Sequence, residues 1–175
     1  MEGTNDNPIE IGGTSGCTVH TSAELSSLRG WIGGVAAYAK YAQISNCTVE
    51  SVIGGGCAAR GAGGIVGKAE YCTISSSSYK GDQIKANQIQ AATGEGGIVG
   101  NLDNSTIDGC SCYATKFYNN NSQPFGCIVG ISNSNNTIQN CHYKASVEGP
   151  TSGTAATAKV AGSGTYTGDG NVADL

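Results

Sequence analysis

Eight cysteines, eight tyrosines and two histidines are the side chains of this 175-residue chain with the most chemistry to offer. A metal centre would call for paired Cys-x-x-Cys or neighbouring His, but the chain offers only Cys110-x-Cys112, and His20 and His142 are far apart. No metal and no cofactor are therefore expected. Nucleophilic catalysis needs a base held against its nucleophile, and neither histidine carries a recognisable local signature for a Ser-His-Asp or Cys-His set. The zinc-peptidase pattern HExxH is absent. Asp103 and Asp108 are the nearest acidic pair, yet Asp108 occupies a turn position where Asp is expected on conformational grounds alone. The chain is read as a non-enzyme.

The aromatic side chains are the better lead to a ligand. Tyr41 and Tyr71 occupy equivalent repeat positions and should stack on one another, and Asn104 continues their column. Tyr113, Phe117 and Tyr118 fall on or beside a long loop that starts at Lys116. Aromatic rings bind sugar faces or a protein partner, so these five are the candidate ligand-binding residues. The alternative is that they merely cover turns.

Positioning these groups is the task of a repeat. The units GGVAAYAKYAQISNCTV from Gly33, GGIVGKAEYCTISSSSY from Gly63, GGIVGNLDNSTIDGCSCY from Gly96 and GCIVGISNSNNTIQNCHY from Gly126 follow one another. Ile44, Ile74, Ile107 and Ile138 mark them, each trailed three residues later by Cys47, Ser77, Cys110 or Cys141, and those positions recur every 30, 33 and 31 residues. A degenerate unit precedes them, with Cys17 standing 30 residues before Cys47. Such periods mean stacked, quasi-one-dimensional architecture. After each isoleucine and a polar turn the chain alternates strictly, with Cys47, Val49 and Ser51, or Cys141, Tyr143, Ala145 and Val147, on the face that should turn inward.

The expected fold is all-β: a parallel β-helix (solenoid) of about 30 residues per coil, three strands to a coil and roughly four to six coils, right-handed favoured. Residues 1–10 read as a tail or partial cap, 11–148 as the repeats and 149–175 as a degenerate last coil or tail. The paired glycines should supply positive φ at sharp turns. Long loops are expected from Lys80 to Glu95 and from Lys116 to Pro124. The cysteine column predicts a ladder of buried thiols acting as small hydrophobes, with a disulfide between stacked neighbours as the alternative. Cys57, Cys72 and Cys127 fall off that ladder.

The composition is unusually small and neutral, yet 38% hydrophobic residues placed in register argue that the chain buries a core. There are 28 glycines but only 3 prolines, 13% charged residues and a net charge of −4. Nine scattered Lys and Arg give no footprint for nucleic acid, and no apolar run is long enough for a membrane helix, so neither is an expected partner.

The pattern GG-[IV]-V-G, a polar spacer, then T-I-x-N-C-x-[VY] resembles the GLUG motif, a repeat of large bacterial surface and adhesin-like proteins and of immunoglobulin A-cleaving metallopeptidases. The resemblance covers Gly33 to Val147, with departures at Ala36-Ala37, Ser77 and Cys127. It implies an extracellular or cell-surface location, for a fragment lacking its signal peptide. The implied function is a non-catalytic spacer or binding module whose partner is a glycan or a host or cell-surface protein. A carbohydrate-active β-helix, either glycan-binding or polysaccharide-degrading, is the alternative. Ice binding would need a flat, regular threonine array, and the column begun by Thr18 and Thr48 ends at Ser78, Ser111 and His142.

Overall fold

Every few residues the inward–outward alternation breaks at a corner, and the chain winds into a β-solenoid. The computed structural model describes residues 1–20, 25, 29–55, 58–86, 94–119, 124–149 and 155–175. An incomplete first coil holds β1 (Ile9–Ile11) and β2 (Cys17–Val19). The next runs through β3 (Arg29–Gly33), β4 (Ala36–Lys40), β5 (Ala42–Ser45), β6 (Cys47–Val49) and β7 (Ile53–Gly55). Then follow β8 (Ala58–Gly63), β9 (Val66–Glu70), β10 (Thr73–Ser75), β11 (Ser78–Tyr79) and β12 (Gln83–Ala86). The third full coil has β13 (Glu95–Gly96), β14 (Val99–Asp103), β15 (Thr106–Asp108), β16 (Ser111–Cys112) and β17 (Lys116–Asn119). The fourth has β18 (Phe125–Gly126), β19 (Val129–Ser132), β20 (Thr137–Gln139), β21 (His142–Tyr143) and β22 (Ser146–Glu148), and β23 (Ala155–Thr157) and β24 (Ala161–Gly164) end the series.

Equivalent strands stack into five sheets, among them β1-β5-β10-β15-β20 and β2-β6-β11-β16-β21. All pairings between these strands are parallel except β22 with β23, which is antiparallel. Strands make up 57% of the chain, which has about four turns at a spacing of about 31 residues, so the fold class is the expected all-β solenoid. Each full coil, however, has five strands rather than three. The two additional strands lie before the GG corner (β3, β8, β13 and β18) and after the alternating strand (β7, β12, β17 and β22). The isoleucine strand is flanked by residues in the left-handed region: Tyr41, Tyr71, Asn104 and Asn135 (φ 47 to 53°) before it, and Asn46, Ser76, Gly109 and Asn140 (φ 47 to 61°) after it.

The paired glycines are therefore not the positive-φ residues. Their requirement is close approach. A Cβ on Gly63, the first of its pair, would meet the Val66 carbonyl, and one on the single glycine Gly67 would meet the carbonyl oxygens of Ala37 at 2.5 Å and Ile32 at 2.8 Å, both on the coil before it. Ala37 holds the same position in the first full coil, and its methyl is exposed because no strand precedes β4 in its sheet. Opposite the second glycine of each pair lies an inward side chain: a Cβ on Gly64 would come within 2.4 Å of the Tyr79 ring, and one on Gly97 within 2.2 Å of Cys112 Sγ. Cys127 takes this position in the fourth coil, and there Tyr143, in register with Cys112, is only half-buried where Tyr79 is fully buried.

Isoleucine forms the spine of the core. Ile11, Ile44, Ile74, Ile107 and Ile138 are register partners, and the last four are wholly inaccessible to solvent. Each fully buried isoleucine is worth roughly 1.5–3 kcal/mol. Ile65, Ile98 and Ile128 are equally buried at the bend inside each GG-containing run, so that run is a corner between two strands and not a single strand.

Two expected loops each contain a strand of the solenoid. Gln83–Ala86 is β12 and Lys116–Asn119 is β17, and they pair in register with Ile84 and Phe117 pointing inward. Residues 87–93 and 120–123 of those loops lie outside the described residues. Ala145, expected to face inward, is exposed beside Ser146 ahead of β22. At the ends, Glu2 bridges to Lys40, β24 pairs with β19, and Thr167 and Val172 bridge to Thr137 and His142.

Candidate functional site

The corner before the isoleucine strand gives the molecule its most distinctive surface. Tyr41 and Tyr71 are held there by their left-handed backbone, and their rings stack with centroids 5.1 Å apart and planes at 19°. Tyr71 is 49% exposed and Tyr41 half-buried. Beside them the outward residues Gln43 and Thr73, with Pro8 and Asn5 from the N-terminal segment, line an open hollow of about 150 Å³. The expected continuation of the column is present: Asn104 and Asn135 follow, with Asn135 Nδ2 donating to Asn104 Oδ1 at 3.0 Å.

The other candidate aromatics are dispersed. Phe117 is not a surface residue: it is fully buried, aligned with Ile84 and stacked on Phe125 with centroids 5.3 Å apart. The cause is the polar–apolar–polar order Lys116-Phe117-Tyr118 on a strand, which turns the middle residue into the core. Tyr118 is half-buried and its hydroxyl donates to Glu148 Oε2 at 2.7 Å. Tyr113 is 37% exposed on another face, with Lys144 Nζ 5.9 Å from its ring centroid. The structure thus brings Tyr41 and Tyr71 together and leaves Tyr113, Phe117 and Tyr118 apart from them. Tyr166, which the sequence reading passed over, is 37% exposed and lines a second hollow of about 200 Å³ with Asn135, Asn136, Thr165 and Thr167.

The thiols are structural in a specific way. At several corners the residue after the turn donates from its side chain to the carbonyl two residues earlier: Cys47 Sγ to Ser45, Cys72 Sγ to Glu70, Cys110 Sγ to Asp108, Cys141 Sγ to Gln139. Ser77 and Ser105 do the same with Oγ, at 2.9 and 2.7 Å. Cys72 therefore belongs to an equivalent ladder at the neighbouring corner. A small side chain with a donor at its tip closes the corner, and Ser and Cys both qualify. Cys17, Cys47, Cys72, Cys110, Cys112, Cys127 and Cys141 are all free thiols, whereas Cys57 lies outside the described residues. Burial pushes the Cys47 thiol up to about 12, helped by Cys17, and pushes Cys127 and Cys141 up to about 11. Such thiols are poor nucleophiles near neutrality.

Two polar clusters remain. Glu70 accepts from Tyr38 Oη at 2.9 Å and pairs with Lys68, whose ammonium lies 5.8 Å from the centroids of both Trp31 and Tyr38. The hydrogen bond from Lys68 holds the Glu70 carboxyl below the usual carboxylate range, while burial and the Glu70 hydrogen bond push Tyr38 up. At the C-terminal end His142 Nδ1 lies 2.9 and 3.1 Å from the two carboxylate oxygens of Asp174. Ser111 is the register partner of His142, so serine, histidine and aspartate stand in consecutive coils, but no hydrogen bond joins the Ser111 hydroxyl to the ring among the described residues. Among those residues no three His, Cys, Asp or Glu side chains gather to hold a metal. Comparison of the chain with protein-family models, curated proteins and solved structures gives no match.

Proposed function

We propose that the chain is a non-catalytic β-helical segment of a bacterial cell-surface or secreted adhesin-like protein, serving as a rigid spacer that carries a lateral binding face. The observation that supports this reading is the in-register stacking from β1 to β20, which repeats each outer side chain at a constant pitch of about 4.8 Å along one axis. A continuous hydrogen-bonded stack resists bending, and the GLUG-like repeat adds the bacterial surface setting. The polar, sparsely charged exterior suits an extracellular environment and a glycan or cell-surface protein as partner.

Labelling intact and permeabilised source cells with antibody to the chain tests the setting. Labelling of intact cells is expected, and signal only after permeabilisation overturns it. A second reading, a carbohydrate-active β-helix, draws on the hollow beside Tyr41 and Tyr71. Its enzymatic form requires the chain to release reducing ends from a polysaccharide, and the non-catalytic reading expects none.

A further inference from the structure

One face of the solenoid joins both tyrosine-bearing hollows. The outward residues of the β5-β10-β15-β20 sheet form a single column, Gln43, Thr73, Thr106 and Thr137, in exact register through successive coils, and Thr167 extends it by a bridge to Thr137. Four coil steps of about 4.8 Å make this column roughly 19 Å long. The hollow with Tyr41 and Tyr71 opens at its first end and the hollow with Tyr166 at its last. This threonine column is distinct from the one begun by Thr18 and Thr48, which lies on the next sheet.

From Gln43 to Thr167 the chemistry along the column is uniform. Hydroxyls and amides both donate and accept, without formal charge. Thr137 Oγ1 and Thr167 Oγ1 lie 3.2 Å apart, so neighbouring hydroxyls already stand at hydrogen-bonding distance. Glu10, the register partner of Gln43 on β1, places an exposed carboxylate at the first end of the column. Of the carboxylates bordering it further along, Asp103 Oδ1 accepts from Asn104 Nδ2 at 3.0 Å, and Asp108 Oδ1 from Asn140 Nδ2 at 2.8 Å. The Gln43–Thr167 column itself carries no cation; the Lys40 ammonium lies 5.4 Å from the Tyr41 ring centroid at its first end, where the Glu10 carboxylate stands in register with Gln43 and disfavours an anionic polymer.

The geometry points to a binding face for a neutral, unbranched polysaccharide lying along the solenoid axis, with its hydroxyls on the Gln43–Thr167 column and sugar rings seated against Tyr71 at one end and Tyr166 at the other. Sugar C–H faces suit an aromatic surface, and their equatorial hydroxyls suit a row of side chains that both give and take protons. This assignment rests on the binding-module reading and gives its ligand a chemical class and a direction.

Native affinity electrophoresis of the whole chain in gels containing hydroxyethylcellulose, glucomannan or laminarin, with alginate as the charged comparator, tests the proposal. At least one neutral polymer should retard migration, alginate should not, and the double variant Tyr71→Ala/Tyr166→Ala should weaken retention at least fivefold. Thr106→Val/Thr137→Val, which keeps strand-forming side chains in place, should weaken it by a similar factor, whereas Tyr113→Ala on another face should leave it unchanged. Retardation by none of the neutral polymers, retardation by alginate alone, or an equal loss in Tyr113→Ala overturns the polysaccharide face. Shortening of a retained polymer would instead overturn the non-catalytic reading while supporting the face, so the two failures are distinguishable.

Discussion

Tyr41 and Tyr71 stack at 5.1 Å although each sits at a positive φ, of 50° and 53°, where a large side chain carries a conformational cost. The same corner is occupied by asparagine two coils on, so the stacking offsets what the backbone loses. Replacing Tyr71 by Asn removes a ring pair worth about 0.5–1.5 kcal/mol but installs a residue suited to the left-handed region. A net loss below about 1 kcal/mol is expected from urea denaturation. Tyr71→Val loses the ring and keeps the strain, and it should cost more. Equal stabilities for the two variants would refute this account of the corner.

Ser77 holds its corner from both sides, donating to the Ser75 carbonyl at 2.9 Å and accepting from the Cys47 amide at 3.1 Å. Ser77→Ala should cost about 1–3 kcal/mol by stranding buried polar groups. Ser77→Cys restores the residue type of the neighbouring coils and should recover most of that loss. The comparison needs only the two denaturation midpoints and a shared slope.

Gly67 and Ala37 make a matched pair. Gly67→Ala drives a methyl against backbone oxygens at 2.5 and 2.8 Å and should cost roughly 1–3 kcal/mol. Ala37→Gly, one coil earlier at an exposed position, should change stability by no more than about 1 kcal/mol. A mild Gly67→Ala would mean that the coils can separate more than their register suggests.

Alkaline pH should weaken the fold through its thiols. Cys127 and Cys141 titrate near the ordinary 9.0 when unfolded and near 11 when folded, because burial disfavours the thiolate. Each raised value favours the folded state while the thiol is protonated, so the contribution is intact below pH 9.0 and disappears as pH rises towards about 11. Urea midpoints measured across that window should fall, and Cys141→Ser should flatten the decline. With an aromatic disulfide reagent at pH 8 the native chain should react slowly and the denatured chain should show all eight thiols.

The repeat was legible because its core columns reuse the same residue type: Ile44 to Ile138, and the Cys and Ser positions three residues later. What escaped has identifiable causes. The GG-containing run turns its corner at a buried isoleucine, and β12 and β17 fall in segments that read as loops, so five strands read as three. Glycine is ambiguous in sequence, serving positive φ or close approach, and here at Gly67 it serves the second. Phe117 stood in a short polar–apolar–polar run that resembles a loop, although its spacing from Ile84 repeats the period. Of the candidate site, Tyr41 and Tyr71 were readable from their equivalent positions. Tyr166 was not, because the last coil lacks the isoleucine that marks the others; the surviving signal was Thr167, 30 residues beyond Thr137.

The stacking of the coils also sets how the molecule would carry load. Amide-to-carbonyl bonds such as Gly34 to Gly64 and Gly64 to Gly96 run from coil to coil, along the axis. Pulling the two ends of the stack apart therefore engages all the bonds between a given pair of coils at once, and they must fail together. Tension applied through the chain termini meets a different path, because each terminal strand can be peeled from its neighbour bond by bond. The same structure is thus mechanically strong when gripped by its end coils and weak when drawn out by its thread.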